Sequence, residues 1–115
     1  MKVIIAGSRD IKNSYREVCK AVKDSKLPVG TVISGGARGI DKAGEHYAET
    51  LEIPCEVYLA DWSKGKAAGF LRNSLMVEVA DALIAVWDGS SKGTWDTIMK
   101  MCRKGGHIYI HKVTE

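Results

Sequence analysis

Short apolar runs alternate with stretches of helical periodicity from one end of the chain to the other. The first run, "KVIIA", is apolar at successive positions, which is typical of a strand buried on both faces of a parallel sheet. Strand-like runs span residues 2–6, 31–34, 55–60, 82–87 and 107–111. This alternation predicts an α/β fold, a single Rossmann-like three-layer domain over residues 1–115 with a five-stranded parallel sheet and about four helices.

Helix boundaries follow from capping and breaking residues. Ser14 and Glu17 have the spacing of a capping box and predict a first helix over about 14–26. The second helix follows a glycine-rich loop and ends before the second proline, and the fourth ends at the glycine pair 105–106. The apolar positions predicted to face the core are Val18, Cys19 and Val22, then Ile40, Ala43, Tyr47 and Leu51, then Leu71, Leu75, Met76 and Val79, then Trp95, Ile98 and Met101 or Cys102.

The overall charge favours a small anionic ligand over nucleic acid. The formal net charge is +3, the basic residues are scattered, and aromatic residues make up 7% of the chain. A nucleic-acid-binding protein of this size more often carries a clustered basic stripe with aromatic side chains between the charges. Nucleic acid is therefore not the expected partner.

Cysteine and histidine usage predicts a reduced, metal-free, cytoplasmic protein. The three cysteines are widely separated and lack CxxC spacing, and the three histidines lack the spacing of metal ligands. No run of 18 apolar residues is present, and the apolar start is too short for a signal peptide, so no membrane association is expected.

The loops after the first four strands carry glycines and charges that folding alone does not require. They read "GSRD", "GGARGID", "ADWSKGK" and "DGSSKGT". Parallel sheets bind ligands outside the carboxyl ends of their strands, so these loops are expected to share one edge. Bare amides at a helix N-terminus attract anions, Arg38 suits phosphate, and Asp41 suits a ribose hydroxyl or a contact to Arg38. The alternative is a tight turn in which Asp41 merely favours the helix N-terminus.

Two common nucleotide-binding fingerprints are absent from the sequence. There is no GxGxxG followed by an acidic residue and no GxxxxGK[ST]. An ordinary NAD site and a P-loop ATPase are therefore not supported, and no cofactor is predicted. Residues 89–93, GSSKG, fit the GxSxG string, but the histidines lie away from the loops, so no serine nucleophile with its base is evident.

The segments "GSRD", "SGGARGID", "ADWSKGKAAGFLRN" and "WDGSSKGTWDTI" together resemble the SLOG superfamily, the Rossmann-like group that includes DprA (Smf) and the LOG phosphoribohydrolases. The chain is most similar to small stand-alone members related to YpsA. The resemblance implies a pocket for a nucleotide or an ADP-ribose-like ligand. It matches Gly93 and Thr94 to the family's second loop, and Arg72 to the arginine implicated in glycosidic cleavage by LOG enzymes. The residues that it matches to the family's glycine-rich phosphate loop are Gly35, Gly36, Arg38, Gly39 and Asp41. Those enzymes follow the second loop with two glutamates, where this chain has Asp96 and Thr97.

The sequence thus predicts a protein that binds a nucleotide-derived small molecule as a sensor or sequestering module. A threonine cannot supply the charge that stabilises an oxocarbenium-like transition state, so binding ranks above hydrolysis. The alternatives are a nucleoside 5′-monophosphate phosphoribohydrolase with Arg72 and Asp96 as catalytic residues, and single-stranded DNA binding in the manner of DprA. A homodimer or higher homo-oligomer is also expected. The predicted ligand-binding residues are Gly7, Ser8, Arg9, Gly35, Gly36, Ala37, Arg38, Gly39, Asp41, Arg72, Asn73, Asp88, Gly89, Gly93 and Thr94.

Overall fold

A computed structural model describes residues 1–114. The five strands form one parallel sheet in the order β3-β2-β1-β4-β5. The strands are β1 (Lys2–Gly7), β2 (Thr31–Ser34), β3 (Cys55–Val57), β4 (Ala82–Trp87) and β5 (His107–Lys112). The helices are α1 (Ser14–Ser25), α2 (Ile40–Thr50), α3 (Ala68–Val79) and α4 (Lys92–Lys104), and a 3-10 turn, Trp62–Lys64, precedes α3. The predicted Rossmann-like fold is confirmed.

Successive residues of β1 pack against different helices. Val3 and Ile5 belong to the core that α1 and α2 cover, whereas Ile4 and Ala6 belong to the core beneath α3 and α4. The side chains of Val3, Ile4 and Ile5 are fully buried. Burial on both faces explains why the sequence of β1 is apolar without alternation.

The chain changes direction at β1, and this opens a crevice at the edge of the sheet. The β2 and β3 strands extend the sheet to one side of β1, whereas β4 and β5 extend it to the other. Such a switch point is where Rossmann-like sheets bind ligands. Position 7, the last residue of β1, requires a glycine because a Cβ there would clash with the carbonyl oxygen of Val86.

The start of α1 differs from the predicted capping box. Asn13 is the N-cap, in a left-handed conformation at φ 54°, and its side chain makes no capping hydrogen bond. Glu17 instead lies 3.3 Å from the Nε2 atom of His111 on β5. The capping-box prediction is wrong because the backbone of Asn13 turns the chain into the helix and Glu17 contacts another element.

The α3 helix is rotated relative to its prediction. Leu71, Leu75 and Val79 are 56%, 54% and 39% exposed, whereas the neighbouring Met76 and Val77 are buried. The predicted stripe is therefore wrong except for Met76. When a helix is apolar on both faces, the spacing of its apolar residues does not show which face packs against the core. The outward leucines offer a candidate face for the predicted self-association, which stays a prediction.

Three other elements differ in detail. The β3 strand ends at Val57, three residues short of the prediction, because only three of its residues pair with β2. In α4, Met101 rather than Cys102 is buried, and Trp95 is 49% exposed and stacks on Trp87. Leu51 is 53% exposed because α2 ends before it.

Within residues 1–114, no helix combines the length and the apolar character that a membrane span requires.

Candidate functional site

A cavity of about 250 Å³ opens beside the carboxyl end of β1. Its wall combines the end of β1, the loop after β2, the inner face of α3 and the first turn of α4. The lining residues are Ala6, Gly7, Arg9, Ala37, Asp41, Arg72, Asn73, Met76, Ser91, Gly93, Thr94 and Thr97. We call it the first cavity.

A second cavity of about 360 Å³ adjoins the first. Arg9, Ala37 and Arg72 line both. The remaining wall of the second cavity comes from two segments. The glycine loop, residues 35–39 between β2 and α2, contributes Gly35, Gly36 and Arg38, and the segment after β3 contributes Leu59, Ala60 and Trp62. Ligand pockets usually measure ~300–1,000 Å³. The two cavities together fall within that range, whereas the first alone is slightly smaller.

Arg72 is held where the two cavities meet. Its Nη1 atom donates to the carbonyl of Gly35, and its Nε atom donates to Oδ1 of Asn73 at 2.9 Å. Asn73 is 4% exposed, and its Nδ2 atom donates to the carbonyl of Gly93 at 3.2 Å and to Oδ2 of Asp96 at 3.1 Å. This network fixes the guanidinium before any ligand arrives, because it joins α3 to the glycine loop and to α4.

Asp41 is a buried carboxylate on the wall of the first cavity. Burial raises the pKa of Asp41 to about 6, although the Ala37 amide, Arg72 and Arg9 each act to lower it. Burial in turn lowers the pKa of Arg72, and the nearby Asp41 partly offsets this. The guanidinium stays protonated, since arginine does not lose its proton in proteins. An anionic ligand would therefore meet two cations, Arg9 and Arg72, beside a carboxylate that is partly protonated in mildly acidic solution.

The glycine loop is partly occupied by side chains of the protein itself. The amide of Gly36 donates to Oγ of Ser34 at 3.1 Å, and the amide of Ala37 donates to Oδ2 of Asp41 at 3.2 Å. Both amides were expected to face a ligand. Because the loop uses them internally, Arg9 and Arg72 are the groups best placed to attract negative charge.

Four predicted residues support the loops instead of lining either cavity. Ser8 is 2% exposed and its hydroxyl accepts from the amide of Asp88. Asp88 accepts from the amides of Ser90 and Ser91 at 2.8 and 3.1 Å, and Gly89 has a positive φ beside Lys112. A Cβ on Gly39 would lie 2.4 Å from the carbonyl oxygen of Arg9, so this glycine lets the first two loops touch.

Arg38 lies at the outer rim of the second cavity. Its guanidinium pairs with Asp10 at 2.9 Å, and both side chains are well exposed, at 67% and 83%. The alternative that Asp41 holds Arg38 is not what the structure shows, because Asp41 faces Arg72 and the Ala37 amide.

Asp96 stands beside the first cavity rather than on its wall. Its Oδ2 atom accepts from Nζ of Lys100 at 2.7 Å and from Asn73. Thr97, one residue later, lines the cavity, and its hydroxyl donates to the carbonyl of Gly93 at 3.2 Å. Of these two positions, the one that lines the first cavity therefore carries a hydroxyl where the LOG pattern has a carboxylate.

Several cavity residues were not predicted from the sequence. Ser91 and Thr97 line the first cavity, and Leu59, Ala60 and Trp62 line the second. The signal for Trp62 was present, because it follows β3 in one of the four loops at the carboxyl edge. Among residues 1–114, no three His, Cys, Asp or Glu side chains form a group that could hold a metal ion.

Comparison with known proteins supports the sequence resemblance. A family model described as "YAcAr: YspA, cpYpsA-related SLOG family" matches residues 1–65, more than half of the chain. The chain belongs to this family. A search of curated proteins found no match. The matched segment contributes β1, the glycine loop and Trp62, whereas α3 and α4 supply the rest of the site from residues beyond it.

A solved structure shares the fold of this family member. The X-ray structure of DNA processing protein A (DprA) from Streptococcus pneumoniae aligns with a TM-score of 0.77 at 17% sequence identity. The alignment covers 95% of this chain and 49% of that protein, so the chain spans about half of its length. At this identity the likeness shows the fold alone.

The buried Asp41 predicts a specific dependence of stability on pH. Its pKa is about 6 in the folded protein against 3.8 for the free side chain, so between these values the folded state holds more protons. The free energy of unfolding contributed by Asp41 should therefore fall as the pH rises from 4 to 6, by on the order of 2–3 kcal/mol. Asp41→Asn removes this loss, so the variant should gain stability relative to the wild type over the same range.

Urea denaturation of both proteins at pH 4.5 and 7.5 measures the difference. Asp24→Asn, on the exposed surface of α1, is the matched control and should show no such gain. A stability difference between Asp41→Asn and wild type that stays constant with pH would contradict the buried, weakly acidic carboxyl.

Proposed function

We propose that the protein binds a nucleotide or a nucleotide-derived, ADP-ribose-like ligand in the two adjoining cavities, as a sensor or sequestering module. The observation that carries this proposal is that Arg9 and Arg72 line both cavities at the switch point of the sheet. Guanidinium groups bind phosphate oxygens through paired, charge-assisted hydrogen bonds. A ligand with central phosphates could place them at these arginines and extend a group into each cavity.

Binding without turnover is favoured by the groups around the first cavity. Glycoside cleavage requires a carboxylate at the reacting carbon or one that activates water. Asp96 is engaged by Lys100 and Asn73, and Asp41 already accepts from the Ala37 amide. The threonine at position 97 cannot take over the role of a carboxylate.

Nucleotide phosphoribohydrolase activity is the second candidate function, because Arg72 lines the first cavity, as the LOG resemblance implies. Calorimetry with AMP, GMP, CMP, UMP and ADP-ribose should detect binding, and chromatography of the same mixtures should detect no free base. Base release that Asp96→Asn abolishes and Asp24→Asn preserves would establish the hydrolase instead. Asp24 is a suitable control because it is exposed on α1 and lines neither cavity.

Single-stranded DNA binding has weaker support. DprA is a DNA processing protein, but this chain spans about half of that protein and carries a net charge of +3. A gel-shift series with oligonucleotides of increasing length tests it. Tight, length-dependent binding at moderate salt would replace the small-molecule proposal.

A further inference from the structure

The second cavity has an apolar wall directly beside its charged one. Trp62 and Leu59 are 58% and 73% exposed, and both line the cavity together with Arg9, Arg38 and Arg72. The arrangement suits a ligand that is flat and weakly polar at one end and anionic at the other.

Trp62 is fixed in place by the turn that carries it. The carboxylate of Asp61 accepts from the amide and the hydroxyl of Ser63, and the carbonyl of Trp62 accepts from the amide of Gly65 at 3.1 Å. The far edge of the indole packs against Gly69 on α3, where a Cβ would lie 3.1 Å from Cη2 of the ring. A ring held in this way loses little freedom when a ligand stacks on it.

The apolar wall also touches the glycine loop. A Cβ on Gly36 would lie 2.5 Å from Cδ2 of Leu59 and 3.3 Å from Cγ1 of Val57. No wide gap therefore separates the loop after β3 from the loop after β2. A Cβ on Gly69 would also lie 3.9 Å from Nη2 of Arg72, so the indole and this guanidinium lie near the same point of α3.

We infer that the second cavity binds the planar heterocyclic base of the ligand, with the indole of Trp62 as its stacking surface. This inference rests on the proposed function and narrows it, because it selects nucleotides over phosphorylated sugars that lack a base. Stacking on tryptophan tolerates different bases, since each presents a π face. The planar guanidinium groups of the same cavity can flank the base on its other side.

Five small probes separate the contribution of the base from that of the phosphate. Ribose 5-phosphate and the four nucleoside 5′-monophosphates AMP, GMP, CMP and UMP share the phosphosugar, and ribose 5-phosphate lacks the base. Calorimetric titration of the wild type should give tighter binding for at least one nucleotide than for ribose 5-phosphate, by about 10-fold or more. Trp62→Ala should weaken that nucleotide ~10- to 100-fold and leave ribose 5-phosphate unchanged.

The chain offers two matched controls for this experiment. Trp62→Phe keeps an aromatic face and should recover most of the nucleotide affinity. Trp95→Ala removes a tryptophan of similar exposure that stacks on Trp87 and lines neither cavity, so it should bind like the wild type. Circular dichroism of each variant checks that the fold is retained.

The outcomes distinguish this inference from the proposal beneath it. Trp62→Ala with unchanged nucleotide affinity, or with equal losses for nucleotide and ribose 5-phosphate, overturns the stacking role and leaves the proposed function standing. If the wild-type protein binds ribose 5-phosphate as tightly as every nucleotide, the stacking role is likewise overturned and the proposed function stands. Wild-type protein that binds neither these five probes nor ADP-ribose overturns the proposed function, and the base site with it.

Discussion

Arg72→Gln should weaken nucleotide binding about 100-fold, since a charge-assisted hydrogen bond contributes roughly 1.5–3 kcal/mol. Arg72 lies where the cavities meet, and its two hydrogen bonds to Gly35 and Asn73 hold it there. Glutamine can keep one of these contacts but brings no charge. It also leaves the buried Asp41 without its nearest stabilising cation, which makes the site less attractive to phosphate.

Two further arginine variants serve as comparisons, because each removes one positive charge at a different distance from the centre of the site. Arg38→Gln removes a cation at the exposed rim and should cost about 10-fold or less, because an exposed charge is screened by solvent. Arg103 is exposed on the last turn of α4, so Arg103→Gln should leave the nucleotide affinity unchanged. Equal losses for Arg72→Gln and Arg103→Gln in calorimetry would mean that net charge alone, and no specific site, attracts the ligand.

Gly35→Ala should reduce nucleotide affinity on the order of 10-fold or more, because it disturbs a charge-assisted contact while leaving the fold largely intact. A Cβ at this position would lie 2.7 Å from Nη1 of Arg72 and 2.8 Å from Oδ2 of Asp41. The end of an arginine side chain can move aside, so the backbone need not. The melting temperature should therefore fall by only a few degrees while the guanidinium leaves its position.

Gly30→Ala is the matched control for this substitution. Its Cβ would lie 3.7 Å from the nearest atoms, those of Met1, which is ordinary van der Waals contact. Differential scanning fluorimetry and calorimetry on both variants compare stability with affinity. Gly35→Ala that binds as tightly as Gly30→Ala would show that the position of Arg72 does not control binding.

The fold was largely predictable because strands that are buried on both faces have a recognisable sequence pattern, a continuous apolar run. The apolar runs of β1 and β4 could only belong to strands covered on both faces, and their parallel order followed from the helices between them. The orientation of α3 was not predictable. Leu71 and Leu75 fit a helical stripe as well as Met76 and Val77 do, and packing against α4 and the sheet decided between them.

The edge of the sheet that holds the site was predictable, whereas the role of each residue there was not. Parallel strands place their carboxyl ends together, so the four loops could be assigned to one edge from the sequence. Which amide faces a ligand depends on competition among nearby acceptors. Asp41 and Ser34 take the amides of Ala37 and Gly36, and no spacing rule reveals this.

The central position of β1 has a consequence for how the protein is made. Its first neighbour, β2, follows soon after it, but its second neighbour begins at Ala82. A chain growing on the ribosome must therefore leave one edge of the buried β1 strand unpaired until β4 has been synthesised. The α4 helix, which completes the wall of the first cavity, is synthesised later still, so the ligand can bind only after α4 has been made.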